Sequence, residues 1–180
     1  MRKVLILFGQ LNDEDLEWLL KAGHTRNVPR DGIVIHQGGT IDALFILLEG
    51  KLSVWLGGKR EREIARLHAG EVVGEMSFVD SRPPSATVKA CEDATVFAIP
   101  RLDLARKLES DPGFAARFYR ALAIYLATTV RERHRALGYH DDLPPDEAPE
   151  DADELDALVL DGVSAAGERF DRMVKRLLVA

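Results

Sequence analysis

The sequence predicts a mainly β protein with flanking helices: an antiparallel jelly roll, then a long helix, then a separate C-terminal helix. Two observations predict it. Between Ile33 and Pro100, short runs rich in β-branched residues follow one another with turn residues, not helical stretches, between them. A parallel sheet needs crossover helices, so these strands are antiparallel. Beyond Pro100 the apolar period lengthens to the helical one and stays there to the C-terminus.

The chain opens M-R-K-V-L-I-L-F-G-Q, whose apolar run, Val4 to Phe8, is followed by the charged N-D-E-D. Secretory apolar regions need about 7–15 residues and membrane spans about 20, and no later run approaches a membrane span. A cytoplasmic protein without a membrane partner is expected. Asn12 to Lys21 reads as a short helix capped by Asn12 or Asp13, with Leu16, Leu19 and Leu20 on one face. The strand-like runs are I-V-I-H, A-L-F-I-L-L-E, K-L-S-V-W-L, E-I-A-R-L, T-V-K-A and T-V-F-A-I. Their turn signals are Gly38-Gly39, Glu49-Gly50, Gly57-Gly58, Ala69-Gly70 and Asp80 to Pro84. Residues 1–110 thus form the roll with its N-terminal helix and one short closing helix, Arg101 to Glu109.

Asp111-Pro112 then starts a long helix, with Asp111 as N-cap and Pro112 at the first helical position, reaching Leu137. One face carries Phe114, Phe118, Ala121, Tyr125 and Thr128 or Thr129; a second carries Leu122, Leu126 and Val130. Two apolar faces suit a helix that packs on its own roll and on its twin in a homodimer, whereas one broad face would suit a single domain. Residues 138–152 read as an acidic, proline-containing linker. Residues 153–180 form an amphipathic helix whose stripe includes Leu155, Val159, Val163, Ala166, Phe170 and Leu177.

At 180 residues, 46% hydrophobic and 30% charged, the chain can bury a core without staples. Its one cysteine, Cys91, lies on a strand-like run, reads as a small buried apolar group, and suits a reducing compartment. The net charge is −6, yet Gly138 to Asp161 holds ten acidic residues and no Lys or Arg, leaving +4 elsewhere. Such a block repels nucleic acid, and the residues after Leu137 offer no recognition helix with a basic flank, so no nucleic-acid partner is expected. The five histidines show no metal-ligand spacing, and neither G-x-S-x-G nor a P-loop is present, so no enzyme is expected.

The stretch that carries chemistry is G-E-M-S-F-V-D-S-R-P-P-S-A-T-V, Gly74 to Val88. A buried phosphodiester needs backbone N–H donors, a helix N-terminus or a guanidinium to offset its desolvation. Gly74 leaves room for close approach, Glu75 is an acceptor suited to a ribose hydroxyl, and Ser85 and Ala86 aim successive N–H groups at a phosphate.

These residues resemble the cyclic nucleotide-binding domains of catabolite-activator-type regulators, cyclic-nucleotide-dependent kinases and gated channels. The resemblance runs from about Leu11 to Leu137, through I-D-A-L-F-I-L-L-E-G-K-L-S-V, G-E-V-V-G-E-M-S-F-V and S-A-T-V-K-A-C-E-D-A-T-V-F-A-I-P-R. It implies a ligand site of Gly74, Glu75, Met76, Ser77, Arg82, Pro84, Ser85, Ala86 and Thr87, with cAMP or cGMP as the possible ligand. It also implies motion of Arg101 to Glu109, as a hinge helix, and of the long helix on binding. The family pattern ends in P-R-A-A-T-V, its arginine gripping the phosphate; here Pro84 stands at that arginine, with neither charge nor N–H. The resemblance therefore implies a regulatory module, not an enzyme, with weak or lost cyclic nucleotide binding and an unidentified protein partner. Two alternatives stay open. Arg82 and backbone donors could sustain a true cAMP or cGMP sensor, or the Pro83-Pro84 pair could close the pocket and leave an interaction scaffold.

Overall fold

The computed structural model describes residues 4–58, 61–80, 82–136 and 157–178. Helices α1 (Val4–Gln10) and α2 (Asp13–Ala22) precede five strands: β1 (His24–Val28), β2 (Ile33–Ile35), β3 (Ala43–Glu49), β4 (Lys51–Leu56) and β5 (Arg62–His68). Strand β6 (Val72–Val73), helix α3 (Glu75–Asp80) and strands β7 (Thr87–Ala90) and β8 (Ala94–Pro100) complete the roll. Helices α4 (Arg101–Ser110), α5 (Pro112–Ala136) and α6 (Ala157–Leu178) follow. The strands form two four-stranded antiparallel sheets, ordered β1-β8-β3-β6 and β2-β7-β4-β5. The expected antiparallel roll with a long helix and a C-terminal helix is what the chain forms.

Strand β3 explains why the roll has two hydrophobic layers. Six of its seven residues, A-L-F-I-L-L, are buried, as in a strand covered on both faces. Phe45 and Leu47 join Val54, Val88 and Val96 between the sheets. Leu44, Ile46 and Leu48 meet Phe8, Leu19, Phe114 and Phe118 from the helices on the other side. The β3–β4 turn holds Gly50 at φ +86°, where a Cβ would lie 2.6 Å from the Asp93 carbonyl oxygen.

Several elements differ from the expectation. Val4 to Phe8 is the core of α1, with Val4, Ile6, Leu7 and Phe8 all buried, so its brevity reflects an interior helix. Strand β1 was not anticipated, because H-T-R-N-V pairs along an edge and buries only Val28. Two-residue β6 is too short to show a period. Cys91 falls in the turn after β7 and is half-buried, so it is not a core strand residue. It lies one residue past the end of β7, its N–H on the Lys51 carbonyl.

Helix α2 starts with a capping box: the Asn12 side chain accepts from the Asp15 N–H, and the Asp15 carboxylate accepts from the Asn12 N–H. Asp15 also accepts two bonds from Arg117, at 2.6 and 2.8 Å, which clamps α2 to α5. Asp111 caps α5 through its Oδ1, 2.9 Å from the Phe114 N–H. Of the two α5 faces, Phe114, Phe118, Ala121, Leu122 and Tyr125 are buried together, while Val130 is exposed and Leu126 half-buried. The expected linker at 138–152 lies outside the described residues, as does Leu155. Helix α6 lies on α1, burying Ala166, Phe170 and Met173, with the Phe8 and Phe170 rings 6.2 Å apart.

Candidate functional site

Strand β6 delivers the chain to Gly74, whose φ is +94°. A Cβ there would lie 2.5 Å from the Ile41 Cδ1, the movable end of a side chain, so it is the left-handed backbone that favours glycine. The next residues are helix α3, whose first turn is closed by the Phe78 N–H on the Gly74 carbonyl. Glu75 therefore sits at the start of a helix, where a carboxylate suits the dipole. Ser77 is buried and its carbonyl accepts from Arg101, 2.9 Å away, while that guanidinium also lies over the Phe78 ring. Arg101 thus ties α3 to the first residue of α4.

Beside α3 lies a cavity of about 130 Å³. Of the expected site residues, Gly74, Glu75, Met76, Ser77, Pro84, Ser85 and Ala86 line it. Thr87 does not; its hydroxyl oxygen accepts the Gln37 N–H and holds the β2–β3 connection. Arg82 does not line it either. Its side chain is 84% exposed, 3.8 Å from the Asp80 carboxylate, and its own N–H is held by that same carboxylate. Two residues upstream of Pro84 in a tight turn, its side chain leaves toward solvent.

Pro84 is buried in the cavity wall and its carbonyl accepts the Gly38 N–H at 2.8 Å. The proline is therefore a packed part of the wall. Among the described lining residues there is no Lys, Arg or His. Most of the remaining wall is apolar: Ile35, Val54 and Val88 from the sheets, Ile64 and Leu67 from β5.

Helix α5 closes the cavity with two residues that were read from sequence only as parts of a helix face. Tyr125 is buried, and its hydroxyl donates to the Val72 carbonyl at 2.8 Å and accepts the Val72 N–H at 3.3 Å. Burial first, then the nearby Glu75 charge, pushes its phenol well above the ordinary range, so it stays protonated and pins α5 to β6. One turn on, Thr129 also lines the cavity, and its hydroxyl is the one buried side-chain polar atom without a hydrogen-bond partner among the described residues. Leaving such a group unpaired costs about 1–3 kcal/mol. Threonine at helical spacing looks like any half-buried position, so no sequence signal separated it from its neighbour Thr128, which bonds the Ile124 carbonyl.

The family model for the cyclic nucleotide-binding domain matches residues 25–111. Residues 25–111 belong to that domain family. The cyclic AMP receptor protein of Thermus thermophilus is 33% identical over 129 residues, 70% of this chain and 57% of that one. The regulatory subunit of a cAMP-dependent protein kinase from Blastocladiella emersonii is 26% identical over 117 residues, 64% of this chain and 29% of that one. The chain thus spans less than two thirds of these curated relatives. Among solved structures, the N-terminal domain of a transcriptional regulator from Streptomyces coelicolor superposes with a TM-score of 0.60 at 29% identity, covering 69% of this chain and 90% of that one. A cyclic nucleotide-binding domain from Methylobacillus flagellatus reaches a TM-score of 0.68 at 23% identity, covering 79% and 84%. The latter likeness shows the fold. Among the described residues no helix is long and apolar enough to cross a membrane, and no group of His, Cys, Asp or Glu is arranged to hold a metal.

Proposed function

We propose that this chain is a cytoplasmic, non-enzymatic regulatory module in which cyclic nucleotide binding is weak or lost, and that it acts as a homodimer through a protein partner. One observation carries the reading: Pro84 is packed into the cavity wall where the family pattern has its phosphate-binding arginine, and no lining residue described supplies a cation. Removing one member of a buried charge pair costs about 2–5 kcal/mol. At about 1.4 kcal/mol per tenfold, a micromolar site weakens to between tens of micromolar and millimolar. The exposed position of Arg82 speaks against its standing in for the missing guanidinium. The persistence of a cavity beside α3 favours a disarmed pocket over a collapsed one. Regulation would pass from α3 through Arg101 to α4, and through Tyr125 to α5.

The test is thermal unfolding of the wild type and of Pro84→Arg, each with and without millimolar cAMP or cGMP. Ligand that binds only the folded state raises stability as RT ln(1 + [L]/Kd). The expected result is a shift in the wild type well below that in Pro84→Arg. A wild-type shift equal to that of Pro84→Arg would sink the proposal and make the chain a true sensor.

A further inference from the structure

We propose that the cavity takes an uncharged, ring-sized organic molecule carrying one hydrogen-bonding group, a phenol in chemical class, in place of a cyclic phosphodiester. This rests on the reading above that cyclic nucleotide binding is weak or lost, and it names what the altered cavity is suited to hold.

Size is the first ground. About 130 Å³ falls below the roughly 300–1,000 Å³ of sites that bury drug-sized ligands. It lies near the roughly 150 Å³ of an apolar cavity that admits benzene. Wall chemistry is the second. The apolar side chains of Ile35, Val54, Leu67 and Val88 face a body without charge, and no described lining residue offers a cation to an anion. An anion entering such walls would lose its hydration without a built partner, and a cation would meet only the Glu75 carboxylate, which the start of α3 already favours. Pro84 extends the apolar surface at the place where the family pattern has its arginine.

The third ground is independent of the first two. An entirely apolar ligand would leave the Thr129 hydroxyl unpaired, as it is now. The Tyr125 hydroxyl is already committed twice to Val72 and has no need of a ligand. A phenolic O–H meets the Thr129 oxygen as donor or acceptor while its ring occupies the apolar part. Such a ligand would touch α5 directly, so its binding would bear on the helix that the proposed function treats as an output.

The experiment is fluorine NMR titration of the full chain with four probes of one ring size: 4-fluorophenol, fluorobenzene, 4-fluorobenzoate and 4-fluorobenzylamine. Saturable binding of 4-fluorophenol is expected, at least tenfold tighter than that of either ion. Thr129→Val should weaken the phenol by roughly three- to tenfold and leave fluorobenzene unchanged, while Thr129→Ser keeps the phenol's advantage. Filling the space with Val88→Phe, or more mildly with Ala86→Leu, should abolish binding of both neutral probes, with melting curves confirming which variants are folded. The inference is overturned if 4-fluorophenol does not saturate, if an ion binds as tightly, if Thr129→Val has no effect, or if binding survives a folded filling variant. Cyclic AMP is titrated into the same wild-type sample. Micromolar binding there would overturn the underlying reading itself, whereas silence of both cAMP and the phenol would overturn this inference alone.

Discussion

Asp15 shows how one side chain serves two elements. It is 3% exposed, closes the α2 capping box with Asn12, and receives both hydrogen bonds of the Arg117 guanidinium. Burial raises its pKa, but the Arg117 and Asn12 bonds outweigh that and hold the carboxyl below its ordinary value of 3.8. A group depressed in the folded state stabilises above its unfolded pKa and loses that contribution as pH falls through the folded one. The Asp15 contribution is therefore complete at neutral pH and fades below about pH 4. Asp15→Asn should cost about 1–3 kcal/mol at pH 7, less than a fully buried pair because the Arg117 side chain is 36% exposed. In urea unfolding the gap between mutant and wild type should narrow as the pH is lowered toward 3; a gap that stays constant would refute this account.

At the level of elements, α6 is the addition that the roll does not require. Its stripe of Ala166, Phe170 and Met173 is buried, and Arg169 reaches the Phe8 and Leu11 carbonyls at 3.2 and 3.0 Å while pairing with Asp13. Those carbonyls lie at and just beyond the end of α1, where acceptors lack helical partners, so a guanidinium there satisfies them and favours the dipole. Arg176 adds an exposed pair with Glu17, which contributes little. Phe170→Ala should cost about 3–5 kcal/mol and speed hydrogen exchange in α6 and α1 ahead of β4 and β7. The residues between the two sheets form a hydrophobic cluster separate from the one that includes Phe170. If exchange rose equally throughout, α6 would be an inseparable part of one cooperative unit.

For the whole molecule, the open question is what covers α5. Its buried face is used within the chain, while Tyr119 is 48% and Val130 49% exposed, with Ala123 exposed between them. Residues at these helical intervals share one side. A twin helix laid along that side would bury them, which supports the proposed homodimer. Ala123→Arg is expected to lower the sedimentation coefficient toward that of a 20.0 kDa monomer without lowering the melting temperature of the isolated fold. A wild type that already sediments as a monomer would refute the dimer.

The roll was legible because its strands are short apolar runs and its turns carry glycine: A-L-F-I-L-L-E, K-L-S-V-W-L and the Gly50 turn stand in the structure where the pattern put them. The caps at Asn12 and Asp111 were legible for the same local reason, since a side chain bonding the next turn's N–H needs only its own neighbours. Gly74, Glu75 and Pro84 were recognisable because they lie in one short stretch that resembles the family pattern, and the glycine's backbone demand is local. What the sequence by itself determined is thus the period, the punctuation and the presence of an uncharged proline at position 84. Only the tertiary structure decided that Val4 to Phe8 is an interior helix, that α6 rests on it, and that Arg82 leaves the cavity. It alone set Thr129 against Pro84, Val88 and Leu67 around one space. Those facts depend on contacts between residues far apart in the chain, and burial at such contacts has no local pattern to announce it.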